Sequence, residues 1–566
     1  MYSVLQNPSF LKAIRALHIF QKSCLMHCLM LFICGGILFS GSRMHAQTIP
    51  YYPLSTLADE GCHECKDTVK FLFIKRVFDL SLLLPEWKPV VNFHHTEVLE
   101  GTVDRWSETF IGCHVSQVDF SGYHYTHDYG FDVIPDKGYD KICARRIYNG
   151  SEEGHTAGSG HEAGKADTIL QRTVHVEWES GLTSGNKGNP CAEANKRGES
   201  CGFFTAGHKR REKIWNWPTV GDWVHVEGLW IWDRGHPPGR TELHPLRLCV
   251  TRRAQPEWVA KSVGSKDSLH ATRFDLFCSG DGGALNNNRK GVPPFVKRSK
   301  MGPRNYEFTL RPNQARPSKD AVLRYRILTR PGDTYAGQLN VQMEGDSMLC
   351  SIPWYYVEDD AVFARSMYAW WENPTEEAFP LEGVHRYEVK VDRLYFNRRK
   401  DGLSRPELVL YLEVAGDFLN LNEFVDGPNV LKSGAASSYR RKFPVDLTFQ
   451  VSLKDGVPFR IHVGGWEADG ISRAIGHLID PASPCTDATK KMFHKHLWPA
   501  TPFGLRGCLD DDIGEIHDFY RPDTLPNYLE VMTKSSGDHE SYEQCPGVNT
   551  DPNDVFRAWY SIRRLD

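Results

Sequence analysis

A hydrophobic period of two residues, repeated in many short runs, constrains this chain more than any other feature. Tyr387, Val389 and Val391 fall on one side of an extended backbone, and Phe459, Ile461 and Val463 repeat the pattern. Side chains alternate across a strand, so this spacing turns one face toward a core; a helix would need a period of 3.6. Runs of the same kind span 92–103, 110–120, 129–134, 173–178, 222–232, 243–251, 322–328, 338–343, 362–368, 408–414, 445–453 and 555–562. Gly, Pro and Asp punctuate them, and an aromatic share of 12% suits pleated surfaces. No long amphipathic helix, heptad seam or internal repeat breaks the series. The expected fold class is mostly β.

The first 46 residues read as an export signal. Lys12, Arg15 and Lys22 precede an apolar run over 24–39, followed by Gly-Ser-Arg-Met-His-Ala. That run is shorter than the ~20 residues of a membrane span. Cleavage after Ala46 and a secreted or cell-envelope location are therefore expected, with a retained anchor as the other outcome. Three of the 15 cysteines lie in the leader, leaving twelve. An even number in an exported chain suits disulfides. Cys191 with Cys201, and Cys485 with Cys508, are the pairs proximity favours, and Cys62 and Cys65 read as structural half-cystines. The net charge of −4 gives no electrostatic reason to expect nucleic acid as a partner.

From 47 to 278, about five strands separated by long loops fit a small closed barrel of the oligonucleotide/oligosaccharide-binding (OB) type, or failing that a sandwich. Residues 279–305 read as a linker, and 306–384 as a β region that is separate or part of the next domain. Two strands of the first region repeat a His-x-Glu pattern, Val174-His175-Val176-Glu177 and Val224-His225-Val226-Glu227, and Glu242 and His244 follow. Alternation places His and Glu of each strand on one face. Neighbouring strands would bring His175, Glu177, His225, Glu227, Glu242 and His244 together. Imidazole and carboxylate ligands with an open water position are what a zinc centre uses, and the same groups serve acid/base chemistry. The plain alternative is a polar sheet face opposite a Val-rich one.

A second cluster is acidic. The run over 459–463 delivers Glu467 and Asp469, two residues apart on an extended chain, and Asp510, Asp511 and Asp512 precede another expected strand. Carboxylates on loops at one end of a sandwich hold calcium, a hard cation that takes six to eight oxygens. Asp401-Gly-Leu-Ser-Arg-Pro-Glu-Leu-Val-Leu410 resembles the first calcium loop of the synaptotagmin-type calcium- and lipid-binding sandwich. Trp466-Glu467-Ala468-Asp469 resembles that family's second loop, and Asp511-Asp512-Ile513-Gly514-Glu515 resembles the acidic end of the same loop. The resemblance implies an eight-stranded antiparallel β-sandwich of calcium-loop type over 385–566, with an insertion at 470–507. It implies calcium held by Asp401, Glu467, Asp469, Asp511 and Asp512. Arg405 stands where the family carries Asp, which implies weak affinity.

Other catalytic signatures are missing from the sequence: no Gly-x-Ser-x-Gly elbow, no phosphate-binding loop and no dinucleotide fingerprint. The expected function is an exported multidomain binding or surface-associated protein with a weak calcium site, its partner a lipid, glycan or protein surface. The alternative is a secreted metal-dependent hydrolase that uses the His/Glu groups of the amino-terminal β domain, with zinc as its cofactor.

Overall fold

The structure, a computed structural model of the 566-residue chain, describes residues 87–91, 95–103, 117–119, 128–139, 142, 147–148, 168–169, 173–178, 217–233, 241–262, 268–278, 304–330, 333, 335–354, 363–375, 377–396, 408–420, 441–467, 511–512, 515–535 and 556–566. All lie in the unit spanning Ser55–Asp566. Among the described residues there is no α-helix, and no helix is long and apolar enough to cross a membrane. The chain is mostly β, as its two-residue period dictates.

The first strands are β1 (Trp87–Pro89), β2 (Thr96–Val103), β3 (Gln117–Asp119), β4 (Asp128–Pro135), the short pair β5 (Ile147–Tyr148) and β6 (Thr168–Ile169), β7 (Val174–Trp178), β8 (Trp223–Asp233) and β9 (Thr241–Arg252). Strands β8, β2, β4, β7 and β9 are neighbours in that order, and β9 pairs back onto β8, so five strands close a barrel. Closure leaves no open edge among them. Only the β7–β9 contact within this ring is parallel, with His175 opposite Glu242. Strand β9 therefore stands between β7 and β8, and the two His-x-Glu strands are not neighbours. The parallel entry of β9 beside β7 causes this, and no local pattern in either strand announces it.

The sheet does not stop at the barrel. Strands β10 (Glu257–Ala260), β11 (Ser268–Cys278), β12 (Arg304–Leu310), β13 (Val322–Thr329), β14 (Asn340–Glu344), β15 (Ser347–Trp354) and β16 (Phe363–Glu372) follow. β11 pairs with β9 and with β16, which pairs with β13, while β12-β15-β14 forms a second sheet. Leu248, Val250, Phe274 and Leu276 share one core with Phe308, Ile352, Trp354 and Met367. Residues 306–384 are thus neither separate nor part of the following domain; they cover β9 and β11. The reason is burial: β9 is 12 residues long and buried nearly throughout, so it needs a layer on each face.

The last unit holds β17 (Val384–Phe396), β18 (Leu408–Val414), β19 (Asp417–Asn420), β20 (Arg441–Lys454), β21 (Phe459–Glu467), β22 (Asp511–Asp512), β23 (Ile516–Tyr520), β24 (Tyr528–Lys534) and β25 (Phe556–Arg564). One sheet has the order β20-β17-β25-β24; the other has β19-β18-β21, with β22 and β23 both on β21. Tyr387, Val389, Val391, Leu412, Val414, Ile461 and Val463 pack between them. Burial of each such side chain contributes about 1.5–3 kcal/mol. Register fixes which connections share an end. Phe396 lies opposite Arg441 and Phe556, and Glu467 lies opposite Leu408 and Asp511. The connections 397–407, 421–440, 468–510 and 536–555 consequently leave from one end, whereas the short turns at 415–416 and 455–458 mark the other.

Cys249, Cys278 and Cys350 are free and buried, so the expectation that most cysteines pair fails for these three. Cys249 is opposite Phe277 and Cys278 is opposite Leu248, which turns the two side chains to opposite faces of the sheet. Burial pushes the Cys249 thiol up to about 12, so it is inert packing. Cys62, Cys65, Cys191, Cys201, Cys485 and Cys508 lie outside the described residues, as do the leader, residues 279–303 of the linker and the whole insertion at 470–507.

Candidate metal centres

On β7, Val174, Val176 and Trp178 are fully buried on one face, and His175 and Glu177 take the other. The neighbour on one side is β4, where Asp132 stands opposite His175. The neighbour on the other is β9, which brings Glu242 and His244. His175 Nδ1 is 2.8 Å from Asp132 Oδ1. His244 Nδ1 lies 2.9 Å from a Glu177 oxygen and 3.2 Å from a Glu242 oxygen. Candidate ligand atoms of His175, Glu177 and Glu242 all lie within 4.8 Å of one another. His175 keeps 15% of its side chain exposed, while Asp132, Glu177, Glu242 and His244 are buried.

This is a coherent arrangement for a borderline divalent ion. One imidazole and two carboxylates face each other, and the Asp132–His175 contact is the carboxylate–imidazole pairing that orients a metal-binding histidine. His244 sits between the two glutamates and holds them together. Gly130, opposite Glu177, leaves the space His175 fills: a Cβ there would come within 3.0 Å of Cε1 and 3.1 Å of Nε2.

Four of the six expected zinc residues thus gather. His225 and Glu227 do not join them. His225 Nδ1 is 2.9 Å from Glu100, and Arg304 pairs with Glu227. Burial alone would lower the His225 pKa, but Glu100 and Glu227 outweigh it and raise it. Carboxylates on both sides of the ring favour its protonated form, and that opposes metal binding. Their face of β8, opposite Val250 and Leu248, looks onto β12, with the His225 ring 5.7 Å from Phe308. Asp132 escaped sequence reasoning because its strand carries no second polar group of the pattern; only pairing across β4–β7 reveals it.

The acidic end is described by its backbone. Glu467 and Asp511 are direct partners in the β21–β22 ladder, with Asp512 opposite Trp466. Asp401 and Asp469 lie outside the described residues, as does Arg405.

No family model matches this sequence, and no curated protein matches it. Among solved structures, human GIVD cytosolic phospholipase A2 aligns over 63% of this chain and 31% of its own, at 7% identity and a TM-score of 0.16. The chain therefore spans about a third of that protein's length, and a likeness this low carries no argument.

Proposed function

We propose that the protein is an exported binding protein that associates with an anionic surface through the long-connection end of its carboxy-terminal sandwich, with calcium as the bridging ion. The carrying observation is that four long connections leave this one end, where Glu467 and Asp511 stand directly opposite each other. Like charges opposite one another destabilise a ladder, and a cation relieves that. Two packed sheets of antiparallel strands agree with the architecture that the loop resemblance implies. Asp401, Glu467, Asp469, Asp511 and Asp512 would hold the ion, which supplies positive charge toward lipid phosphates or acidic glycans. Contacts with the barrel unit, Gln255 to Val457 and Lys454, fall at the opposite end. The test is co-sedimentation with phosphatidylserine-containing vesicles in millimolar calcium and in chelator. Calcium-dependent binding that Asp469→Asn removes supports the reading, and binding indifferent to calcium or to this substitution overturns it.

A second reading, a zinc-dependent hydrolase, is favoured by the convergence of His175, Glu177, Glu242 and His244 on the barrel. Zinc held there would activate a bound water. His244→Ala should then empty the barrel of zinc, whereas His225→Ala, in its separate ion-pair chain, should not. Metal analysis of both variants decides, and a native chain without zinc at this cluster ends the hydrolase reading.

A further inference from the structure

The sandwich carries another cluster on the opposite face from its core. His462 on β21 and His517 on β23 are direct partners in the ladder, and their rings stack 4.1 Å apart at 24°. Ile461, Val463 and Ile516 point into the core, so alternation turns both histidines the other way. The Nε2 atoms converge on one oxygen: Glu515 Oε2 lies 3.1 Å from that of His462 and 2.7 Å from that of His517. The three candidate ligand atoms lie within 4.8 Å of one another. Behind them, Glu413 Oε2 is 3.7 Å from His462 Nδ1, and Arg460 pairs with the same carboxylate.

We infer that His462, Glu515 and His517 form a binding site for a zinc-class divalent ion, separate from the barrel cluster and from the acidic end. Donor chemistry selects the class. Two imidazole nitrogens and one carboxylate oxygen suit zinc, cobalt or nickel, and are wrong for calcium, which wants an oxygen shell. Three ligands leave a fourth position for water. The separations are those of hydrogen bonds, so an ion with metal–ligand distances of ~2.0–2.2 Å replaces the Nε2 protons after a small opening of the cluster. His462 would then carry its proton on Nδ1, toward Glu413, the orienting carboxylate that such ligands have. Entry is from the outer side, where His517 is 16% and Glu515 8% exposed, while His462 is sealed. Bound metal would clamp β21 to β23 on a single face.

The experiment uses the full chain carrying His175→Ala and Glu177→Gln, which removes the barrel cluster, stripped with chelator and titrated with zinc alone. One zinc per chain is expected, together with a zinc-induced rise in melting temperature. Adding His517→Ala should weaken zinc by more than the ~10–100-fold that loss of an outer-shell partner costs, and abolish the rise. Because a buried substitution can unfold the chain, Glu515→Gln, which keeps the shape, is the second variant, and metal-free melts report folding. Cobalt substitution gives an independent readout: visible absorption bands of a nitrogen- and oxygen-ligated ion, lost in both variants. No zinc in the barrel-deficient chain, or folded His517→Ala and Glu515→Gln variants that retain zinc and the cobalt bands, overturns the inference.

Discussion

His175 lies against the backbone of Gly130 and is held from behind by Asp132, so two residues that touch no ion set the ring's position. Gly130→Ala should displace the ring by a few tenths of an ångström, and Asp132→Asn should remove its orienting charge. Each is expected to weaken zinc about 10–100-fold without unfolding the barrel; competition against a chromogenic chelator measures this. Unchanged affinity in both would remove these residues from any part in the centre. Asp275 shows a different residue-scale effect. It accepts from Arg253 Nε at 2.7 Å and Arg273 Nε at 3.0 Å, all three being buried. Burial alone would raise its pKa, but Arg273 and Arg253 outweigh it and hold the carboxyl below the usual 3.8. The folded state thus binds its proton less readily than the unfolded one. Its stabilising contribution is whole at neutral pH, and is lost as acid takes the pH below 3.8 and through the depressed folded value. Asp275→Asn should cost roughly 3–5 kcal/mol at pH 7, as an unpaired buried charge does. It should also flatten the acid limb of stability measured by denaturant unfolding across pH; an unaltered acid limb would contradict the assignment.

At the scale of elements, the sandwich is asymmetric between its ends. The β18–β19 turn is Ala415-Gly416 with φ of 52° and 87°, the two positive values that a tight hairpin requires. Glu413 accepts from the Gly416 amide at 3.0 Å. A Cβ on Gly416 would come within 3.1 Å of Arg253 and 3.2 Å of Thr219, so the barrel unit packs close to this turn. The other end has Glu467 opposite Asp511 and the four long connections. Calcium there is expected to raise the melting temperature by mass action, stabilising by ~2.7 kcal/mol at a hundredfold excess over its dissociation constant. Arg405 should leave that constant on the order of 10⁻⁴ to 10⁻³ M. Thermal melts with and without millimolar calcium check this, repeated on Asp469→Asn and Asp511→Asn, which should both abolish the rise. A native chain that shows no rise refutes the calcium site.

Across the whole molecule, charge is buried where the units meet. Arg273 reaches Asp417 of the sandwich at 3.3 Å while holding Asp275 of the extended sheet, and Gln255 hydrogen-bonds to Lys454 and Val457. Breaking such contacts exposes half-paired charges, so partial unfolding is costly. The barrel sheet and the sandwich should therefore unfold in one calorimetric transition, with calorimetric and van't Hoff enthalpies in agreement. Two separated transitions would show that the units are energetically independent, and Arg273→Ala is the variant expected to split a single one.

What the sequence determined by itself is what depends on neighbours along the chain. The two-residue period defined strands such as β18 and β21, and alternation put His175 with Glu177, and Val389 with Val391, on shared faces. Five spaced strands with interrupting loops left a small amino-terminal barrel and a sandwich both open, and only the pairing of β9 back onto β8 closes the ring. Tertiary structure alone decided which strands touch. It set β9 between β7 and β8, drew Asp132 to His175, gave His225 and Glu227 to Glu100 and Arg304, and stacked His462 on His517. It also joined 306–384 to the barrel through β11, where the composition of 279–305 had suggested a boundary. The physical reason is that strand pairing is non-local. Each ladder is chosen by burial and register between segments far apart in sequence, and a strand carries no record of its partner in its own period.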